Sequence, residues 1–319
     1  MELLRLYHTA RYLRARQLFA QVQYRVLRRM EVPGRMLTRR VPSFPECGWT
    51  PVGGWVAPGA RKHHPDEIVS GRMSFVNQER AIGWLPDWEP ANLPKLWVYN
   101  LHYFEWLWAF ASEQSDSSGG AREEWEHAKS AISDWIETCV PKRTSVAWEP
   151  DPTALRLMNW CACLFGRGRA HAMADRRFVH LVWASLWRQT EWLSTHLEYH
   201  LMGNHLLEEV AALAFVGSCF RGPDSERWRK HGLDVLRWQL REQVLADGMH
   251  FELSPMYHSR IVYLLLTLFN TGNRESQDAV GPFLAPMLTA LARTLHPDGQ
   301  IALLNDSAFG IYLGPSGGV

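Results

Sequence analysis

The sequence predicts an all-α fold of helical hairpins, with an inner ring of apolar helices inside an outer ring of amphipathic ones. Three observations carry that expectation. After Trp97 apolar residues recur at helical spacing in eight segments: 101–113, 122–138, 153–165, 177–199, 202–219, 224–245, 258–271 and 280–295. The connections between them are short, so consecutive helices are expected to pack as antiparallel neighbours. Segments 202–219 and 258–271 are apolar over most of their circumference, which requires burial on more than one side.

The N-terminal elements differ in kind. Residues 1–40 carry ten Arg and two acidic residues, a local charge of +8 in a chain of net +1, so the remainder carries −7. Leu3, Leu4, Leu6, Tyr7, Leu13, Leu18, Phe19, Val22 and Val26 recur at roughly helical spacing there. This reads as one long basic amphipathic helix, docked on the body with a solvated Arg face in preference to the alternative of a membrane-surface or nucleic-acid arm. From Val32 to about Asn92, eight prolines from Pro33 to Pro90 and several Gly rule out long helices. Phe44, Trp49 and Trp55 suggest an extended segment pinned to a surface.

Within the helical part, Asp224 is expected as an N-cap with Glu226 in the first turn, and Gly272 as a C-cap. Pro282 and Pro286 are expected near the start of the last helix, where proline is tolerated. His296-Pro-Asp-Gly299 is a turn signal, and Gln300 to Leu304 reads as a strand. A lone strand needs partners. It is therefore expected to open a β domain whose remainder lies outside the chain. The expected organisation is a basic helix and extended segment at 1–98, a helical body at 99–296, and the beginning of a β domain at 297–319.

Composition bounds the function. Hydrophobic residues make up 46% and charged residues 21% of 319 residues, the profile of a soluble globular protein with a substantial core. A net charge of +1 supplies no overall field to recruit nucleic acid or an acidic polymer. Sixteen Trp and nine Tyr hint at stacking on sugar rings, although most must serve the core. Five cysteines without paired CxxC spacing argue against a disulfide framework or a zinc ribbon. Arg5, Arg11, Arg14 and Arg16 interrupt any signal-peptide core, so the chain taken literally reads as cytoplasmic. The longest strongly apolar run, Ile261 to Phe269, is too short for a membrane span.

Polar groups interrupt the apolar helices at three places. In the segment 198–208, Gly203 breaks the helical run and leaves Asn204 and His205 at the mouth of the next helix. An amide and an imidazole at a helix N-terminus suit a carboxylate. The same pair also reads as a helix cap and a core histidine. In 248–258, Ser254-Pro255 starts a helix whose first turn holds Tyr257 and His258. A tyrosine becomes useful in proton transfer when a cation or helix N-terminus stabilises its phenolate; otherwise it is an ordinary buried hydroxyl. The third place joins 99–105 with 148–156 and Asn159: Asn100, His102, Tyr103, Trp148, Glu149 and Arg156 suit a groove for an anionic sugar. His196 and His200 stand four apart on one expected helix. Without a following Glu in the HExxH manner or a third ligand, they read as surface or supporting histidines, not as zinc ligands.

These segments, Tyr-Asn-Leu-His-Tyr-Phe (99–104), Trp-Glu-Pro (148–150), Leu-Arg-Leu-Met-Asn-Trp (155–160), Glu-Tyr-His-Leu-Met-Gly-Asn-His (198–205) and Asp-Gly-Met-His-Phe-Glu-Leu-Ser-Pro-Met-Tyr-His (247–258), resemble the heparinase II/III family. The likeness runs from the Arg-rich first helix to the Leu-Asn-Asp-Ser turn at 304–307. It implies an incomplete (α/α) toroid followed by a β-sandwich, of which 297–319 would be the start, and a lyase acting on a uronic-acid polysaccharide by β-elimination. It also implies that Asn204 and His205 neutralise the substrate carboxylate and that Tyr257 transfers the proton. Asn100, His102, Tyr103, Trp148, Glu149, Arg156, Asn159, His200 and His258 are then expected to line the acidic-polysaccharide groove. That chemistry needs no metal or organic cofactor. A further histidine would come from the β-sandwich, and the family's lyases are usually periplasmic or secreted. Two rival readings are a glycoside hydrolase on the same helices, with Glu149 and Glu252 as its carboxyl pair, and a non-catalytic carbohydrate-binding or exopolysaccharide-assembly protein.

Overall fold

The structure, a computed structural model, describes residues 19, 21, 22, 39–49, 63–111, 120–142, 145–201 and 203–309. Most of the expected basic helix, and the segment 310–319, lie outside the described residues. Of the Pro/Gly-rich stretch, residues 39–49 form an extended strap. Cys47 bridges Phe220, the Arg221 N–H donates to the Glu46 carbonyl at 2.9 Å, and Phe44 packs among Phe165, Trp183 and Phe220. Further on, the stretch is not extended throughout. It holds a short helix α1 (Pro65–Val69) and a hairpin of β1 (Arg72–Phe75) and β2 (Gln78–Ala81), antiparallel with Arg72 opposite Ala81. Val76 and Asn77 turn the hairpin at positive φ. Val-Asn is a weak turn signal in sequence, which is why the hairpin was hidden.

The helical body begins with α2 (Lys95–Tyr103), which ends where Phe104 takes a left-handed φ of 60 and a 3-10 stretch, Glu105–Ala111, continues. There follow α3 (Gly120–Thr138), α4 (Pro150–Ala162) with a π-helical turn at Cys163–Arg167, α5 (Arg169–Ala174), α6 (Arg176–Thr195), α7 (Gly203–Cys219), α8 (Pro223–Gln243), α9 (Pro255–Phe269) and α10 (Arg274–Arg293). Helices α2, α4, α7 and α9 pack side by side in that order, and α3, α6, α8 and α10 form a second layer outside them. The chain alternates between layers, so each inner helix is followed by an outer one. This is the predicted inner and outer ring, an open (α/α) toroid of helical hairpins. α7 is buried almost all round, as its continuous apolar surface requires, whereas α8 buries one stripe.

Several expected boundaries move. α6 stops at Thr195 with His196 as its C-cap, so His196 and His200 do not share a helix. The backbone turns there because residues 196–201 lead the chain from the outer layer back towards the inner. α8 is capped by Gly222, not Asp224; the Asp224 carboxylate accepts from the Trp187 indole at 2.9 Å. α9 ends at the C-cap Asn270, two residues before Gly272. α10 starts at Asn273, whose side chain accepts the Ser276 N–H at 3.1 Å, and so encloses Pro282 and Pro286. The cap and packing against α8 and α9 offset the two backbone donors those prolines remove. Gln300 to Leu304 makes no strand; Ile301 forms only an isolated bridge with Leu295.

The aromatic load goes chiefly to the core. Twelve of the sixteen tryptophans are buried, which accounts for most of the count without a ligand. Trp106, Trp135 and Trp160 surround Phe104 at centroid separations of 4.9 to 6.3 Å. Among the described residues, no helix is long and apolar enough to cross a membrane, and no cluster of three His, Cys, Asp or Glu could hold a metal ion.

Candidate active site

The inner helices run parallel, because each is reached by way of an outer helix. Pairings between α2 and the α4 segment advance together along both: Tyr99 meets Glu149, Tyr103 meets Asp151, and the Tyr103 carbonyl accepts from Asn159. The first turns of α4, α7 and α9 therefore open at one end of the ring. Helix N-termini present unpaired N–H groups and partial positive charge, so an anion is favoured there.

At the start of α7, Gly203 takes φ +67, and a Cβ on it would fall 2.5 Å from Glu252 Oε1. The Glu252 carboxylate sits against that first turn and accepts the Asn204 N–H at 3.4 Å. One turn on, the Asn204 side-chain amide donates to Glu208 at 3.3 Å. Glu208 is fully buried, which pushes its carboxyl up to about 7 despite an ion pair with Arg260 of α9. Arg260 also lies 5.7 Å from the Tyr103 ring centroid, so one guanidinium ties α9 to both α7 and α2. His205 Nδ1 lies 3.1 Å from Glu198, and the ring is pushed up to about 9. Burial opposes this protonation; the Glu198 hydrogen bond and the charges of Asp151, Glu208 and Glu198 outweigh it.

Tyr257 stands in the first turn of α9. Ser254 caps that helix and Pro255 takes its first position, as the sequence indicates. The hydroxyl is shifted up, chiefly by burial, and then by the negative charges of Asp306, Glu208 and Glu252; Arg260 pulls it down. The cation expected to favour a phenolate is thus present, three residues along the same helix, but burial prevails in the free chain. Asn204, His205 and Tyr257 share neighbours: Glu252 and Glu208 touch Asn204 and act on both His205 and Tyr257. The approach to α9 is held from outside. Leu253 takes a left-handed φ of 53, and Asn305 donates to the carbonyls of Glu252 and Leu253 at 3.0 and 2.9 Å. Ser307 Oγ lies 2.9 Å from Ser254 Oγ.

Most of the other expected groove residues lie inside the protein. Arg156 is wholly enclosed: it donates to Gln189 at 2.7 Å and to the Ala147 carbonyl at 2.8 Å, with its guanidinium 4.0 Å from the Trp135 ring centroid. A uronate or sulfate cannot reach it, and burial pulls its pKa down to about 9. His102 accepts from the Trp135 indole at 3.1 Å and is pushed down to about 3 by burial and the Arg156 charge. Asn159 bridges the Tyr103 carbonyl and the Trp108 indole, and the buried Trp148 indole donates to the Cys139 carbonyl at 2.7 Å. His258 is fully buried, its Nε2 2.9 Å from the Met287 carbonyl and its Nδ1 accepting the His250 N–H at 3.1 Å. Its polar atoms serve packing because the first turn of α9 is embedded on that side.

Tyr103 is buried, yet its hydroxyl reaches Asp151 at 2.7 Å beside Arg260. Asn100 is partly exposed and returns its amide to the Leu96 carbonyl at 2.8 Å. Glu149 is occupied by Lys95 at 2.8 Å and by the Tyr99 hydroxyl. His200 is half-buried and lowered by burial, with Glu198 and His205 acting on it in opposite directions. His196 stacks on Trp192 at 3.4 Å.

Sequence reading passed over Glu208, Arg260, Asp151, Glu209 and the two hydrogen bonds by which Asn305 holds the approach to α9. Helical spacing signals two of them: Glu208 is i+4 from Asn204, and Arg260 is i+3 from Tyr257. A second relay supports the site from behind. His250 Nε2 lies 2.8 Å from Gln243 Oε1, and Gln243 Nε2 donates to the Gly203 carbonyl at 3.1 Å. The residue preceding Asn204 is thereby linked through Gln243 and His250 to His258, beside Tyr257.

Comparison with known proteins identifies the architecture. A family model described as Heparinase II/III N-terminus matches residues 62–310. A heparin-sulfate lyase of Pedobacter heparinus is 36% identical over 126 residues, covering 38% of this chain and 19% of that protein. The crystal structure of heparan sulfate lyase HepC from the same organism aligns with 87% of this chain and 44% of that one, at TM-score 0.57 and 21% identity. A crystal structure of heparinase III aligns at TM-score 0.60 and 17% identity, over 88% and 43% of the two chains. The chain thus spans under half the length of these solved relatives.

Proposed function

The chain belongs to the heparinase II/III family, and from that premise we propose that it is the toroid part of a polysaccharide lyase that cleaves a uronic-acid-containing polymer by β-elimination. The observation that carries the reading is that Asn204, His205 and Tyr257 share Glu208 and Glu252 as neighbours where the first turns of α7 and α9 meet.

The chemistry follows from those groups. The C5 proton of a uronate is weakly acidic, and the ionised carboxylate beside it makes removal harder. His205 as a cation and the Asn204 amide would hold that carboxylate and stabilise the charge that grows on it, in the manner of an oxyanion hole. Tyr257 as phenolate takes the C5 proton, the C4–C5 double bond forms, and the bond from C4 to O4 breaks. The same hydroxyl then returns its proton to the departing O4. Arg260 favours the phenolate needed in the first half, and capture of the C5 proton itself produces the neutral hydroxyl needed in the second.

The hydrolase reading is less well served, because Glu149 is held by Lys95 and Tyr99 while Glu252 caps α7. The test is incubation with a panel of uronate polymers, including heparan-like and alginate-like ones, with ultraviolet detection of unsaturated product. Reducing ends without ultraviolet absorbance would favour hydrolysis; binding without any cleavage would favour the non-catalytic reading.

A further inference from the structure

Glu209 follows Glu208 on α7 and is fully buried, and among the described residues no cation forms an ion pair with it. Its Oε2 accepts the Glu198 N–H at 2.8 Å, and its Oε1 has no partner among the described residues. An ionised carboxylate in that position would be a bare interior charge. Burial and the nearby charge of Glu198 both hold Glu209 in its protonated form. The Glu198 side chain lies beside Glu209, near enough for a carboxylic-acid proton to pass between them, and Glu198 in turn faces His205 Nδ1 at 3.1 Å. Two carboxyl groups in contact share one proton, and here burial assigns it to Glu209.

We propose that Glu209, as a neutral carboxylic acid donating to an ionised Glu198, forms a hydrogen-bonded wire that fixes His205 as a cation and leaves its Nε2–H for the ligand. Glu198 and Glu209 are then positioning residues. Neither needs to touch substrate. The wire takes His205 Nδ1 by hydrogen bond and so sets the plane of the ring. The other groups acting on His205 are His200 from the loop before α7, Glu208 on its own helix, Asp151 from α4 and Glu252 from the loop before α9. That the ligand is a uronate carboxylate rests on the lyase reading; the wire itself does not.

The first test uses the unmodified chain with isotope-labelled glutamate, by infrared spectroscopy at about pH 8.5, above the value of about 7 to which burial pushes Glu208. A carboxylic-acid C=O band is expected to persist there; its absence overturns the proposal. The second follows the His205 imidazole by NMR titration. Glu198→Gln is expected to lower its proton affinity about 100-fold or more, two pH units. Glu209→Gln keeps a neutral donor to Glu198 and is expected to leave the midpoint within about half a unit. A fall of a full unit or more in Glu209→Gln would mean that Glu209 is ionised, and the wire would be wrong. Absence of unsaturated product from every polymer would sink the lyase reading and leave both of these measurements intact.

Discussion

The Glu252 carboxylate accepts the backbone N–H of Asn204 at 3.4 Å, so the loop leading into α9 caps the helix that carries Asn204 and His205. Gly203 makes that approach possible, since a Cβ would fall 2.5 Å from Glu252 Oε1 at a left-handed φ of +67. Gly272 has nearly the same φ, +69, with open space where its Cβ would be. Gly272→Ala is expected to cost only the backbone penalty, about 1–2 kcal/mol in urea unfolding. Gly203→Ala should cost more and also lower kcat/KM. Equal losses in both variants would show that the Glu252 contact contributes nothing.

Tyr257→Phe removes one oxygen and keeps the ring, so folding by circular dichroism and polymer binding should survive. Turnover in an active preparation should fall by about 10²–10⁴-fold, the range of general acid–base catalysis. Asn204→Ala should lose roughly 3–4 kcal/mol of transition-state stabilisation, by analogy with an oxyanion-hole donor. The two losses should not add, because both act on one step. Full activity in folded Tyr257→Phe removes that residue from the mechanism.

What could be read in the sequence was periodicity and chain-local motif. The two rings followed from which helices were apolar all round, and the first turns of α7 and α9 from Gly203 and Ser254-Pro255. Burial of individual polar residues could not be read. His102, Arg156, Asn159 and His258 look like groove residues because polar side chains on apolar helices signal either a site or an internal network. Only the neighbouring helix decides which, as when Trp135 covers Arg156 and the Met287 carbonyl meets His258. Glu208 and Glu209 were overlooked for the complementary reason: adjacent carboxyls inside an apolar helix have meaning only once Arg260 and Glu198 are beside them.

Arg156 gives a direct test of the structural role. Arg156→Ala strips Gln189 and the Ala147 carbonyl of their donor inside the core, and is expected to cost about 3–5 kcal/mol. Lys95→Ala, on the exposed rim, should change stability by about 0.5 kcal/mol or less. Urea unfolding without any ligand measures both. An Arg156→Ala protein of undiminished stability but weakened polymer binding would return Arg156 to the groove.

Acid should weaken the fold through its buried histidines. Burial pushes His102 down to about 3 and His250 to about 4, below the ordinary 6.5 that each regains on unfolding. The neutral rings are native, so their contribution is complete above about pH 6.5 and is lost as pH falls through 4 and then 3. Urea midpoints should fall across that window, and His250→Gln should flatten the upper part of the decline. An unchanged slope in that variant would show that His250 does not drive it.

The inner helices begin at 95, 150, 203 and 255, so the chain returns to the same rim of the ring at nearly even intervals. The connectors arriving at that rim span 139–149, 196–202 and 244–254, whereas those at the opposite rim include the brief links 220–222 and 270–273. Change in the two rims therefore has different consequences. Lengthening or cutting the chain at Gly222 would disturb one hairpin bend and leave every arriving connector intact. An added residue in 252–254 would fall where Glu252 meets Asn204 and Ser254 caps the helix that carries Tyr257. Diversification of such a ring can proceed freely on one side while the other stays fixed in length, and grafts or permutation points belong on the short-linked face.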